Sequence, residues 1–232
     1  MALPNTNNYF TQAQQDWLIA RLGKITASNA HKLFKAGRGK SQMFGDGAMT
    51  YIYELVDEMT TGVPKEENDY KQTEWGKANE MDAIFSFESI TGLHVEYHGI
   101  SNPVFVPHGD FAGGSPDGEV IEAIEDALTE CKCHYDGSKH MRKLAIKSVE
   151  EFKDIFWEEY CQDQLNMRAS KKTNCYSISY DPRKKIPSLK TKIIKVPYDI
   201  EWQKEFDTRH DAALEIIAGM IDNMDKYLIV GK

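Results

Sequence analysis

The chain has 232 residues, 41% of them hydrophobic and 11% aromatic, the make-up of a packed globule rather than a disordered or fibrous chain. A net charge of −8 and a pI of about 5.4 argue against capture of a polyanion by overall charge, and no apolar run approaches the length of a membrane span. The opening MALPNTNNYFTQAQQDW lacks the basic start and apolar stretch of a secretory signal, and Cys131, Cys133, Cys161 and Cys175 show no disulfide spacing, so a cytoplasmic protein with reduced thiols is expected.

In chain order, QAQQDWLIARLG (12–23) predicts a helix. TASNAHKLFKAG (26–37) predicts a second, capped by Thr26 or Ser28 and ended by Gly37. After the glycine-rich loop AGRGKSQMFGDG, residues 47–61 and about 69–91 show helical periodicity. Beyond Gly92 the pattern changes. HVEYHGI, NPVFVPHG, DGEVIEA and ALTECKCHY are short, β-branched or aromatic, and separated by turn residues, which predicts strands and hairpins. A helix over 150–170, strands CYSISYD and KIIKVPYD, and a last helix over about 199–227 complete the order. In that last helix Phe206, Ala213, Ile217, Met220 and Met224 share a face. The expectation is one α/β domain over 1–232 with a central mixed sheet flanked by helices. Its N-terminal part is helical to about 92, and its sheet-containing core spans about 75–232. Basic residues cluster at 35–40, 138–147, 171–172 and 183–195. Each cluster alone reads as solvated surface; several on an acidic chain are also compatible with a basic groove.

Residues 130–133 read ECKC. On a strand, alternation sends Glu130 and Lys132 to one face and Cys131 and Cys133 to the other. Cysteine packs as a small hydrophobe, so the thiol face is core and the other carries a carboxylate beside an ammonium. E-x-K on a half-exposed strand is common, but GGSPDG (113–118) precedes it. A hairpin around 123–128 sets Asp117 beside Glu130. Two carboxylates held close repel and call for a divalent cation, and hard oxygen ligands select Mg²⁺ or Mn²⁺. A lysine in reach orients or deprotonates a water and stabilises charge developing on a phosphate, so these parts suit hydrolysis of a phosphodiester. Glu80 borders an apolar stripe, Ala83, Ile84 and Phe87, and reads equally as an inward carboxylate or as a solvated residue near a helix start.

Six stretches, in order, resemble the phage lambda-type alkaline exonuclease family, also called YqaJ-like viral recombinases, of the PD-(D/E)xK nuclease superfamily. They are RLGKITAS (21–28), WGKANEMDA (75–83), SPDG (115–118), ECKC (130–133), YCQDQLNM (160–167) and YDPRKK (180–185). The resemblance implies a restriction-endonuclease-like core. It implies that Asp117, Glu130 and the main-chain carbonyl of Cys131 hold Mg²⁺, with Mn²⁺ as a substitute. Lys132 serves the attacking water, Glu80 helps place a second metal or water, and Gln162 stands near the site. Arg21, Ser28 and Ser115 fall where the family grips a 5′-phosphate, with Lys139 or Arg142 as a fourth ligand. The implied activity is 5′→3′ digestion of one strand of linear double-stranded DNA to mononucleotides, leaving a 3′ single-stranded tail. The implied partners are DNA ends, a single-strand annealing protein and two further copies of the chain in a ring-shaped trimer. The implied setting is the cytoplasm of a host cell, away from any membrane.

Three other readings compete. A restriction-type endonuclease or a helicase-associated nuclease would share the metal site but not the need for DNA ends. A non-catalytic DNA-binding relative would keep the fold without the complete Asp117, Glu130 and Lys132 set. A zinc or iron–sulfur protein would use the thiols, but C-x-C-H without a second paired motif is not a usual ligand spacing, and neither group is expected.

Overall fold

Thr11 and Gln14 start the first helix, α1 (Gln12–Arg21), in the computed structural model, which describes residues 11–39, 42–65, 70–99, 102–121 and 124–223. The Gln14 N–H donates to Thr11 Oγ1 at 3.3 Å and the Thr11 N–H to Gln14 Oε1 at 2.9 Å, satisfying two donors left over at a helix start. Gly23 turns the chain at φ +65°, where a side chain would be strained. β1 (Ile25–Thr26) follows, then a 3₁₀ segment over Ala27–Phe34 in place of the expected α-helix. Its buried residues are Ala27, Ala30 and Leu33, a spacing of three that suits a 3₁₀ turn. Asn29 Nδ2 donates to Thr26 Oγ1 at 3.1 Å, a local bond that competes with an α-helical start, and Thr26 makes no side-chain cap. The segment closes at Lys35, before Gly37.

Two long helices, α2 (Asp46–Thr61) and α3 (Tyr70–Thr91), lead into strands β2 (Val95–Tyr97), β3 (Val106–His108), β4 (Ala112–Gly114), β5 (Gly118–Val120) and β6 (Ala127–Lys132). Then come α4 (Gly137–Leu144), α5 (Val149–Ile155), α6 (Trp157–Ser170), β7 (Asn174–Tyr180), β8 (Thr191–Pro197) and α7 (Ile200–Ile221). Among the described residues the strands form a five-stranded sheet, ordered β2-β5-β6-β7-β8, and a three-stranded sheet, β1-β4-β3. β6 runs parallel to β7 and antiparallel to β5, so the large sheet is mixed, as expected, with helices on both faces.

Alternation along β6 divides the core. Ala127 and Cys131, with Cys133 just beyond the strand, pack with Tyr176 and Ile178 against Ala83, Ile84 and Phe87 of α3. Leu128 faces the other way, where Cys175, Ile194 and Val196 meet Cys161 and Leu165 of α6, and Phe152, Trp202 and Phe206 extend the cluster. Phe87 and Phe152 are fully buried, and each contributes roughly 1.5–3 kcal/mol by leaving water. The four thiols are buried and free, two on each face of the sheet.

The expected helix over 150–170 is two helices broken at Phe156 (φ −119°, ψ 46°). α4 and β4 were not expected from the pattern, and the glycine pair read as part of a turn lies in β4. Phe206, Ala213 and Ile217 are buried on α7 and Met220 packs against the same cluster, while Met224 lies outside the described residues.

Candidate active site

β5 and β6 pair antiparallel, with Gly118 opposite Thr129. Asp117, one residue before that pairing, is thereby set against the edge of β6. Its N–H donates to the Thr129 carbonyl at 3.2 Å, and its Oδ2 accepts from the Cys131 N–H at 2.6 Å. Main-chain N–H and C=O of one strand residue share an edge, so the Cys131 carbonyl opens towards the same side as Asp117. Glu130 and Lys132 project from the opposite face to the thiols, under α6.

Glu130 is only 2% exposed. Its Oε1 accepts from Lys132 Nζ at 2.9 Å and from Gln162 Nε2 at 2.6 Å, and its Oε2 accepts from Asn166 Nδ2 at 2.8 Å. Gln162 Oε1 in turn accepts from Lys132 Nζ at 2.8 Å. Glu80, on α3, accepts from the Tyr97 hydroxyl at 2.9 Å. Burial pushes the Asp117 carboxyl well above the usual range, and the charges of Glu130 and Glu80 push it further. Burial also raises Glu130, against the opposing pull of Lys132. Burial disfavours the Lys132 ammonium, but Glu130 and Asp117 outweigh it and hold the amine charged. The structure therefore brings Asp117, Glu130, Lys132 and Gln162 together, with Glu80 close enough for its charge to act on both Asp117 and Glu130.

Among the described residues no group of three His, Cys, Asp or Glu side chains stands ready in a metal-holding arrangement, and Lys132 occupies one oxygen of Glu130. The donor chemistry nonetheless fits a hard divalent cation. Two carboxyls whose charges repel, and a main-chain carbonyl on the same edge, offer oxygen alone, while the thiols face α3.

A pocket of about 170 Å³ adjoins this cluster, lined by Trp17, Arg21, Thr26, Ala27, Ser28, Ser115 and Gln162. Trp17 and Arg21 lie one turn apart on α1, and the guanidinium stands 4.2 Å over the indole ring. Trp17 Nε1 donates to Ser115 Oγ at 2.9 Å, which directs the serine proton elsewhere. The pocket thus gathers Arg21, Ser28 and Ser115. Lys139 and Arg142 stand exposed on α4 and are not among its lining residues. Trp17, Thr26 and Asn166 were not assigned from the sequence. The i, i+4 spacing of Trp17 and Arg21, and of Gln162 and Asn166, was the available signal.

The family described as YqaJ-like viral recombinase domain matches residues 16–173. No curated protein matches. Among solved structures, LHK-Exo in complex with dAMP is 24% identical with a TM-score of 0.72, covering 91% of this chain and 96% of that one. The alkaline exonuclease LHK-Exo from Laribacter hongkongensis gives 24% identity, a TM-score of 0.71 and the same coverage. A phage related exonuclease from Haemophilus somnus 129PT gives 18% identity and a TM-score of 0.68, covering 87% of this chain and 96% of that one. At these identities the likeness is one of fold.

Proposed function

The chain belongs to the YqaJ-like viral recombinase domain family, and from that premise we propose that it is a Mg²⁺-dependent 5′→3′ exonuclease. It digests one strand of linear duplex DNA from a 5′-phosphorylated end to mononucleotides and leaves a 3′ single-stranded tail. The observation that carries this reading is the double membership of Gln162. Its amide bonds Glu130 and Lys132, and its side chain also lines the pocket that holds Arg21, Ser28 and Ser115. A terminal phosphate seated in that pocket presents the next phosphodiester to the carboxylates, which accounts for release of one nucleotide at a time. The same fold in LHK-Exo, an alkaline exonuclease described in complex with dAMP, supports it.

Each residue has a task in that reading. Arg21, braced on Trp17, offers a planar fork of donors to a phosphate. Ser115 accepts from Trp17, and Ser115 and Ser28 donate their hydroxyl protons to the phosphate oxygens. Asp117, Glu130 and the Cys131 carbonyl would hold the divalent cation, which would supply Lewis-acid polarisation of a phosphoryl oxygen. Lys132, charged and fixed between Glu130 and Gln162, orients the attacking water and meets the negative charge that builds on the phosphate. Glu80, held by Tyr97, helps to position a second cation or a water. The family resemblance adds a ring-shaped homotrimer around the duplex and transfer of the tail to a single-strand annealing protein in phage-type recombination.

The test is digestion of linear duplex with and without a 5′-phosphate, beside a closed circle, in Mg²⁺ and then in EDTA. The expected result is mononucleotides from the phosphorylated linear substrate only, and only with Mg²⁺. Cleavage of the circle, or indifference to the phosphate, overturns the proposal.

A further inference from the structure

The two oxygens of Glu130 are not equivalent. Among the described residues Oε1 accepts from Lys132 and Gln162, whereas Oε2 accepts only from Asn166. A carboxylate oxygen offers about two acceptor directions. Oε1 is thereby filled, and Oε2 keeps one. Gln162 and Asn166 are four residues apart on α6 and lie on one face, so the helix delivers one amide to each oxygen. The last torsion of a glutamate is soft, and the two amides remove that freedom.

Asn166 is held in this orientation against its own hydrogen-bonding interest. It is fully buried, and its Oδ1 has no hydrogen-bond partner among the described residues, an uncommon state for a buried acceptor. Turning the amide over would set an acceptor against the Glu130 carboxylate. The orphaned oxygen instead lies over Gly114, where a Cβ would come within 2.2 Å of it and 3.1 Å of the Asn166 Cα. A glycine in β4 is therefore what gives the amide its place.

We infer that Asn166 is a positioning residue for the divalent cation: it fixes the Glu130 carboxylate so that the uncommitted acceptor direction of Oε2 faces the metal, and Gly114 supplies the room. The inference rests on the metal-dependent reading above, and binding of a cation tests it separately from cutting. Asn166→Leu keeps the branching of the side chain and removes the donor. Mn²⁺ or Mg²⁺ is titrated into DNA-free protein by calorimetry, and melting is followed in EDTA. Asn166→Leu is expected to remain folded in EDTA, shown by a cooperative melt, and to weaken the cation roughly 10–100-fold. Gly114→Ala, which retains Asn166 but displaces it, is expected to weaken the cation in the same way. Wild-type cation affinity in either folded variant overturns the inference. A wild-type protein that binds Mn²⁺ but cuts no linear duplex sinks the nuclease reading alone, since the variant affinities still decide the role of Asn166. A wild-type protein that binds neither cation sinks both.

Discussion

Lys132 carries an interaction that the carboxylates around it alone make possible. Burial disfavours its ammonium, yet Glu130 and Asp117 hold it charged, and its contacts at 2.9 Å to Glu130 and 2.8 Å to Gln162 leave one ammonium proton for another acceptor. A charged lysine at that point stabilises charge on a phosphate better than it abstracts a proton. Lys132→Ala is expected to lower the rate of a single turnover on phosphorylated linear duplex by roughly 10²–10³-fold, the scale of losing one preorganised donor. Binding of the same duplex, followed by fluorescence anisotropy, is expected to survive. The pull that Lys132 exerts on Glu130 also disappears, so the carboxyl titrates still higher and the acid limb of the pH–rate profile moves to higher pH. Unchanged cutting by the variant would remove Lys132 from the reaction.

At the scale of elements, what could be read in advance depended on whether a local period or a distant contact set the structure. The two-residue alternation of ECKC is local, and β6 obeys it, with the thiols against α3 and Glu130 and Lys132 under α6. GGSPDG looked like a turn because glycines punctuate turns. Gly113 and Gly114 are in β4 because their missing side chains admit the Phe105 ring and Asn166, neighbours that the local sequence does not announce. The break at Phe156 carries no glycine or proline to announce it; the bonds Phe156 N–H to Phe152 O and Tyr160 N–H to Phe156 O flank a residue whose ψ of 46° lies outside the helical range. Of the site, the motif residues were legible, whereas Trp17 and Asn166 act through partners 98 and 36 residues away. α4 was hidden because one of its core positions is a lysine. Lys143 is fully buried, ion-paired with Glu159 and set 5.2 Å from the Phe152 ring centroid. Burial pushes the Glu159 carboxyl up, but Lys143 and His134 hold it down at about 2. Lys143→Met leaves that carboxylate without its cation, and urea unfolding at neutral pH is expected to show a loss of roughly 3–5 kcal/mol. Lys143→Met with Glu159→Gln, which removes the stranded charge, is expected to recover part of it. A single variant as stable as the wild type would mean that the ion pair does not hold α4 to the sheet.

For the whole molecule, the site is a place where folding and function oppose each other. The chain already carries a net charge of −8, and some of its basic side chains are committed to ion pairs away from the site: Arg183 and Lys184 on Asp181, Lys195 on Glu125, Lys172 on Glu119 and Asp126. Asp117 and Glu130 are therefore gathered against electrostatic resistance. Their folded pKa values are raised, first by burial. A carboxyl raised on folding stabilises the protein below its unfolded pKa, and that contribution is lost as pH rises through the folded value. Without a cation, stability is expected to decline with pH above the ordinary carboxylate range. Asp117→Asn cannot ionise, so in EDTA at alkaline pH it is expected to melt above the wild type. Mg²⁺ reverses the order. A ligand bound only by the folded state at 100 times its Kd adds about 2.7 kcal/mol, and for a chain of this size each kcal/mol moves Tm by roughly 2–4 °C. Wild-type Tm is expected to climb by that amount across a Mg²⁺ titration, while Asp117→Asn, short of one ligand, climbs less. Parallel pH slopes in EDTA would show that Asp117 is not the strained carboxylate, and equal Mg²⁺ shifts in the two proteins would show that it is not a cation ligand.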